Sequence, residues 1–161
     1  MLRRKMNSRH SLRTLVLLLV AVLFATACQR EETYMCYEAT DVTGWSIAEK
    51  LDFGVPPLQE SGTYIARLHV RTTPGNPFPF KVLYLEVRQE QDSVVTVDTV
   101  ACTLSTDDPA VQGIVVRQCT FPVRQLYCSR GDSLHYTVRH IMRQEDIPGI
   151  SDVGISLVRD N

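Results

Sequence analysis

The feature that most limits what this chain can become is a strict two-residue alternation, repeated in short runs and broken by turn residues. Tyr64 to Arg71 reads YIARLHVR. Tyr64, Ala66, Leu68 and Val70 fall on one side, and Arg67, His69 and Arg71 on the other. Period two with one polar face is the pattern of a half-buried strand. Leu83, Leu85 and Val87 repeat it within Lys81–Arg88. So do Leu134, Tyr136 and Val138, and again Val153, Ile155 and Leu157. Val94 to Leu104 is rich in Val and Thr, as strands prefer. Ile114 to Val123 is a further strand, ended by Pro122. Between the runs stand turn signals: Pro74-Gly-Asn-Pro77 with Pro79, Asp107-Asp108-Pro109, Ser129-Arg-Gly-Asp132, and Gln144 to Gly149. Only Ile47 to Leu51 and a stretch near Pro56 hint at a helical turn. Six or seven strands at regular spacing, each with one apolar face, predict an all-β fold. The expected architecture is an antiparallel, jelly-roll-like β-sandwich.

The first residues obey a different rule. Arg3, Arg4, Lys5, Arg9 and Arg13 precede ten uncharged apolar residues, Leu15 to Phe24. A membrane-spanning helix needs roughly 20, whereas a signal peptide's apolar core is this short. Small residues Ala25, Thr26 and Ala27 then lead into Cys28. The run resembles a bacterial lipoprotein signal, whose cysteine becomes the lipidated N-terminus. The expected organisation is a signal peptide over 1–27, a lipidated tether over 28–34 and one sandwich domain over 35–161. Gln29-Arg30-Glu31-Glu32 is a solvated stretch, and it resembles the short acidic signals that route lipoproteins to the cell surface in the Bacteroidetes. Two or more acyl chains give stable anchoring. The membrane is thus one expected partner, reached through the lipid on Cys28.

Charge narrows the partners further. The signal carries five of the 17 basic side chains and none of the 18 acidic ones, so the processed chain has a net charge of about −6. Nucleic acid needs clustered Lys and Arg and is not expected as a partner. Beyond Cys28 stand Cys36, Cys102, Cys119 and Cys128. An even number in an exported chain suggests disulfides, with Cys102–Cys119 on neighbouring strands slightly favoured, and buried free thiols as the competing reading. No C-x-x-C appears and no histidine sits at ligand spacing, so neither a metal nor a cofactor is expected. His69, His135 and His140 stand apart from one another. No G-x-S-x-G, H-E-x-x-H or phosphate-binding loop is present.

Two stretches are unusual. Asn76-Pro-Phe-Pro-Phe80 holds two aromatics between prolines, where they would form a binding ridge with little freedom to lose, or else fold back to plug one end of the sandwich. In His140 to Val158, Pro148-Gly149 forces a tight turn and Gly154 sits within a strand, marking a bulge or a close backbone approach. Arg71, then Pro77-Phe-Pro-Phe80 running into Leu83-Tyr84-Leu85, then Met142-Arg143, Ile147-Pro-Gly-Ile150 and Val153-Gly154 together resemble the GldH family of gliding-motility lipoproteins of the Bacteroidetes. Trp45 and Phe53 match that family's N-terminal tryptophan and phenylalanine. The resemblance implies an envelope lipoprotein that acts with the gliding and type IX secretion machinery, and no enzymatic activity.

The expected function is therefore a non-enzymatic binding or structural component, lipid-anchored in the outer membrane, with both the periplasmic and the surface face open to it. Phe78, Phe80, Tyr84 and Arg143 are the expected contacts with other envelope proteins, since aromatics and arginine contribute most at interfaces. The alternative is a surface carbohydrate-binding accessory lipoprotein, with Trp45 and the Phe78–Phe80 loop as its stacking platform. Joint exposure of those three rings favours the alternative, and their burial the first reading. A hydrolase would need a pocket where a histidine meets a carboxylate and a nucleophile.

Overall fold

A computed structural model of the protein describes residues 32–73, 75–104 and 117–160. The signal peptide, Cys28, most of the expected tether and the Asp107-Asp108 loop lie outside the described residues. From Glu32 onward the chain forms one compact unit.

Every described element is a strand or a turn. One four-stranded sheet runs in the order β1 (Glu32–Ala39), β10 (Ile150–Asp160), β4 (Gly62–Thr72), β7 (Arg117–Cys128). The other runs β3 (Leu51–Val55), β8 (Leu134–His140), β5 (Val82–Gln91), β6 (Val94–Thr103). All the pairings are antiparallel. A two-residue ribbon, β2 (Trp45–Ser46) with β9 (Asp146–Ile147), crosses one end. If the eight long strands are counted in chain order, the two sheets read 1-8-3-6 and 2-7-4-5. That interleaving is the jelly roll, two Greek keys folded face to face.

The alternation explains the layering. Tyr64, Ala66, Leu68 and Val70 of β4 are buried, as are Leu83, Leu85 and Val87 of β5, Leu134, Tyr136 and Val138 of β8, and Val153, Ile155 and Leu157 of β10. Together they form one apolar core between the sheets. Burial of each large aliphatic or aromatic side chain contributes about 1.5–3 kcal/mol.

Three expectations need correction. Ile47 to Leu51 is not a helical turn: only Ile47 and Ala48 turn, and Leu51 opens the strand Leu51–Val55, in which Leu51, Phe53 and Val55 alternate inward while Asp52 and Gly54 face out. β7 does not end at Pro122 but continues to Cys128. Its register against β4 slips where Arg67 faces Pro122 and Ala66 faces Arg124, leaving Val123 as the extra residue of a bulge. Proline lacks an N–H, and it is accommodated here because β7 is an edge strand. β1 opens at Glu32, so Glu32, Thr33 and Tyr34 belong to a strand and not to the tether.

The disulfide expectation also fails in this structure. Cys36, Cys102, Cys119 and Cys128 are all free thiols. Cys102 on β6 and Cys119 on β7 lie near enough to interact electrostatically, across one open side of the sandwich. Burial, with a smaller contribution from Cys119, pushes the Cys102 thiol up to about 12. Burial also pushes Cys128 up to about 11. Thiol–disulfide exchange needs a thiolate, and the interior suppresses it.

Candidate functional site

The unusual sequence stretches converge on the end of the sandwich crossed by β2 and β9. Gly149 follows Pro148 with φ at +87°, a left-handed conformation that suits glycine. Its N–H donates to the Val42 carbonyl at 3.0 Å, and its carbonyl accepts from the Thr73 N–H at 3.2 Å. The Asn76 side-chain amide donates to the same Val42 carbonyl at 2.7 Å. This pins the proline-rich loop onto the Ile147–Ile150 turn. A Cβ on Gly149 would stand only 2.4 Å from the Phe78 amide nitrogen. The two motifs that mark the sequence are thus packed backbone to backbone.

That packing decides the fate of the aromatics. Phe78 is buried to 8% exposure, edge-on to a half-buried Phe80 with ring centroids 5.4 Å apart. Trp45 is fully buried against the imidazole of His140, with centroids 5.2 Å apart. So Phe78 and Phe80 are core plugs, which corrects their reading as a contact ridge. The stacking platform of the carbohydrate reading is not available either, because Trp45 and Phe78 have turned inward.

Tyr84 and Arg143 fare differently. Tyr84 lies near the start of β5 on the outer face and remains 45% exposed. Its carbonyl accepts from the Ile141 N–H at 3.0 Å, and its own N–H points at the Met142 sulfur at 3.4 Å. The chain between Ile141 and Arg143 is thereby held beside it. Ile141 and Arg143 are exposed and Met142 half-buried against the core. Nearby, the Ile47 N–H donates to the Glu145 carbonyl at 2.7 Å, with the Ile47 side chain exposed. The end therefore presents an apolar rim with an arginine in it, laid over a rigid aromatic plug.

The histidines are committed elsewhere. His140 donates from Nε2 to the Trp45 carbonyl at 3.0 Å, and burial holds its pKa below the usual value. His69 lies on the outer side of the first sheet yet is buried. Its Nε2 is 2.7 Å from Ser156 Oγ, and its Nδ1 is 3.0 Å from Thr120 Oγ1. The Tyr37 ring of β1 lies tilted over it at 5.8 Å, with the Arg71 guanidinium 3.7 Å over the Tyr37 ring. Ser156 is fully buried, so this histidine–serine pair has no route to a substrate. Burial lowers the His69 pKa as well. Gly154 makes the arrangement possible, since a Cβ there would lie 2.6 Å from Tyr37 Cδ1. Tyr37 escapes a sequence reading because its partners lie on β4 and β10, far away in the chain.

A shallow depression of about 430 Å³ on the outer face of the second sheet gathers Lys50, Asp52, Glu86, Arg88, Glu90, His135 and Arg139. Its charges are spent on one another. Arg139 grips Glu86 through two hydrogen bonds, at 2.8 and 3.0 Å, which hold that carboxyl below its ordinary range. Asp52 accepts from Thr137 at 2.8 Å and faces His135 Nε2 at 3.6 Å. Among the described residues no three His, Cys, Asp or Glu side chains converge as metal ligands would.

These features define a jelly-roll module whose plugged end exposes Tyr84, Ile141 and Arg143. The GldH lipoprotein family profile matches residues 32–157, nearly all of the described sandwich. The chain belongs to the GldH lipoprotein family. It is a lipoprotein of the gliding-motility type, anchored to a membrane of the cell envelope. No curated protein matches the sequence.

Similarity to solved structures is distant. A family GH115 4-O-methyl-α-glucuronidase with specificity for decorated arabinogalactans is 12% identical, with TM-score 0.47, covering 83% of this chain and 18% of that one. Dimeric latent PorU from Porphyromonas gingivalis is 8% identical, with TM-score 0.36, covering 84% of this chain and 14% of that one. A family 35 carbohydrate binding module from Clostridium thermocellum is 13% identical, with TM-score 0.38, covering 79% and 89%. The chain spans less than a fifth of the first two proteins. None of these likenesses bears on what the chain does.

Proposed function

We propose that the protein is a non-enzymatic adaptor, held at the outer membrane by acyl chains on Cys28, that contacts components of the gliding and type IX secretion machinery. The contact surface is the rim formed by Tyr84, Ile141 and Arg143, with Ile47 beside it. The observation that carries this reading is the exposure of Tyr84 next to an arginine, at an end whose other large aromatics are buried or half-buried. A tyrosine fixed by backbone bonds loses little freedom when a partner covers it, and arginine and tyrosine are favoured at the centres of interfaces. The lipid confines the domain to two dimensions and raises its effective concentration near membrane partners. Burial of the His69–Ser156 pair supports a role without catalysis.

The test is affinity purification from lightly crosslinked envelopes. The wild-type chain should enrich envelope proteins that Tyr84→Ala with Arg143→Ala and, separately, Cys28→Ala do not. Equal recovery with the double variant would remove this surface from consideration. Mass spectrometry should find fatty acids on the processed Cys28; an unmodified amino terminus would refute the anchor.

A further inference from the structure

The strand that follows the tether limits which end of the sandwich can meet a membrane. β1 opens at Glu32, and only residues 29–31 stand between it and Cys28. Four residues of chain span at most about 14 Å, whatever conformation they take. β4 and β10 have eleven residues each, so at about 3.3 Å per residue the sandwich is about 35 Å long. The leash is less than half the length of the body it holds. An acylated Cys28 therefore keeps the end where β1 begins close to the bilayer. The domain can stand on that end or lie on a side, but it cannot stand on the plugged end.

The registers show what shares that end. Glu32 pairs with Val158 near the end of β10, and Thr63 at the start of β4 pairs with both Asp160 and Tyr127. In the second sheet Val55 and Gln91 both pair with Leu134, and Gln91 also pairs with Val94. The Gln91 side-chain amide joins the two sheets here, donating to the Tyr127 carbonyl at 3.4 Å and to the Asp132 carboxylate at 3.0 Å. Exposure supplies an independent observation. Among the described residues the two most exposed large apolar side chains are Tyr127, at 65%, and Val94, at 64%. Both lie at the end where β1 begins. β1 and β7 are opposite edges of the first sheet, so Tyr127 stands three strand spacings, about 14 Å, across from the tether.

We propose that this end is a membrane-contact surface: with the Cys28 acyl chains inserted beside β1, Tyr127 and Val94 rest in the phospholipid headgroup layer and hold the sandwich upright. The inference rests on the acylated Cys28 of the proposed function. A tyrosine suits this layer because its ring is apolar and its hydroxyl stays wet. The acyl chains at one edge and Tyr127 at the other give the domain two points of support, which a side-lying domain would lose. Charge plays little part. Glu32, Asp92 and Arg130 are exposed at this end without forming a basic patch, and Glu60 is paired with Arg159. The contact is therefore insensitive to salt and needs no anionic lipid. Standing this way, the domain holds the rim of Tyr84, Ile141 and Arg143 about 35 Å from the bilayer, open to envelope partners.

The test uses the full chain in its native envelopes. Benzoyl-phenylalanine, a photo-crosslinking analogue, replaces Tyr127, Ser93 or Tyr84, one at a time. All three positions are exposed, so the fold tolerates the change. Cells carrying labelled phospholipid are irradiated, and acylation of Cys28 is read by mass spectrometry in the same samples. Positions 127 and 93 should form phospholipid adducts several times more strongly than position 84, with yields unchanged by high salt. With Cys28 acylated, no lipid adduct at position 127 would overturn the proposal while leaving the anchor intact. Equal lipid yields at positions 127 and 84 would overturn it by showing a domain that lies on its side. Adducts from position 127 to a protein in place of lipid would overturn it by giving this end to a protein partner. An unmodified Cys28 would take down the anchor and this stance together.

Discussion

Replacing Gly149 by alanine should destabilise the domain far more than a methyl group normally does. Two costs add. The residue sits at φ +87°, where an L side chain costs about 1–2 kcal/mol. The new Cβ would also stand 2.4 Å from Phe78 N, 2.5 Å from Asn76 O and 2.7 Å from the Pro77 carbonyl carbon. All three are backbone atoms, so no side chain can rotate away. Hydrogen bonds to Val42 and Thr73 hold Gly149 from both sides. Overpacking of this kind costs about 1–3 kcal/mol, for a total of roughly 2–5 kcal/mol out of a typical 5–15. In a domain of this size that lowers Tm by roughly 10 °C or more. Gly131→Ala is the matched control. Gly131 has φ +95°, yet its Cβ would meet nothing within 4 Å, so only the backbone strain applies. Thermal melts of the two variants by circular dichroism separate the two costs. If Gly149→Ala melts together with Gly131→Ala, the close approach of the two motifs is wrong.

Gly154→Ala should cost about 1–3 kcal/mol by driving the Tyr37 ring off His69, seen as a lower urea midpoint; an unchanged midpoint would mean that Tyr37 does not cover the glycine. His69 and His140 both have folded pKa values held below the ordinary one by burial. The folded state therefore binds fewer protons than the unfolded chain, and stability should be fully present above about pH 6.5 and fall as pH drops through the folded values. Urea titrations from pH 8 to 5 check the sign, and stability that rises on acidification would contradict it. Cys102, with its thiol pushed up to about 12, should resist alkylation at pH 8 until denaturant is added; labelling under native conditions would show that the core is open there.

Strand identity is legible in the sequence wherever a strand lies between two partners. β4, β5, β8 and β10 are all of this kind, and their inward residues keep a clean period of two. The edges are harder. β1 reads ETYMCYEA, with polar and apolar residues mixed, because the sheet covers it on one side only. Pro122 reads as a terminator because a sequence does not reveal which strands lie at an edge, where a missing N–H costs little. Leu51–Val55 is masked by its brevity, although its alternation is perfect. At the candidate site, Tyr84 and Arg143 stay exposed. Phe78 and Phe80 do not, since the hydrogen bonds that fold their loop inward involve Val42 and Gly149, far away in the chain. The His69 pocket is invisible for the same reason: its lid belongs to β1, and the glycine that admits the lid belongs to β10.

The placement of the motifs divides labour within the chain. Pro77 to Phe80 and Ile147 to Ile150 interlock through Gly149, and Trp45 and Phe53 fill the core. Arg71 caps Tyr37, which in turn needs Gly154. These residues, which carry most of the family likeness, are engaged in holding the jelly roll together. Two homologous scaffolds built this way would share a fold whatever they bind. On the proposed function, specificity resides in exposed side chains whose replacement costs the fold little: Tyr84, Ile141 and Arg143 at the plugged end. Substitutions among those residues should change association while leaving Tm nearly fixed, whereas substitutions among the motif glycines should do the reverse.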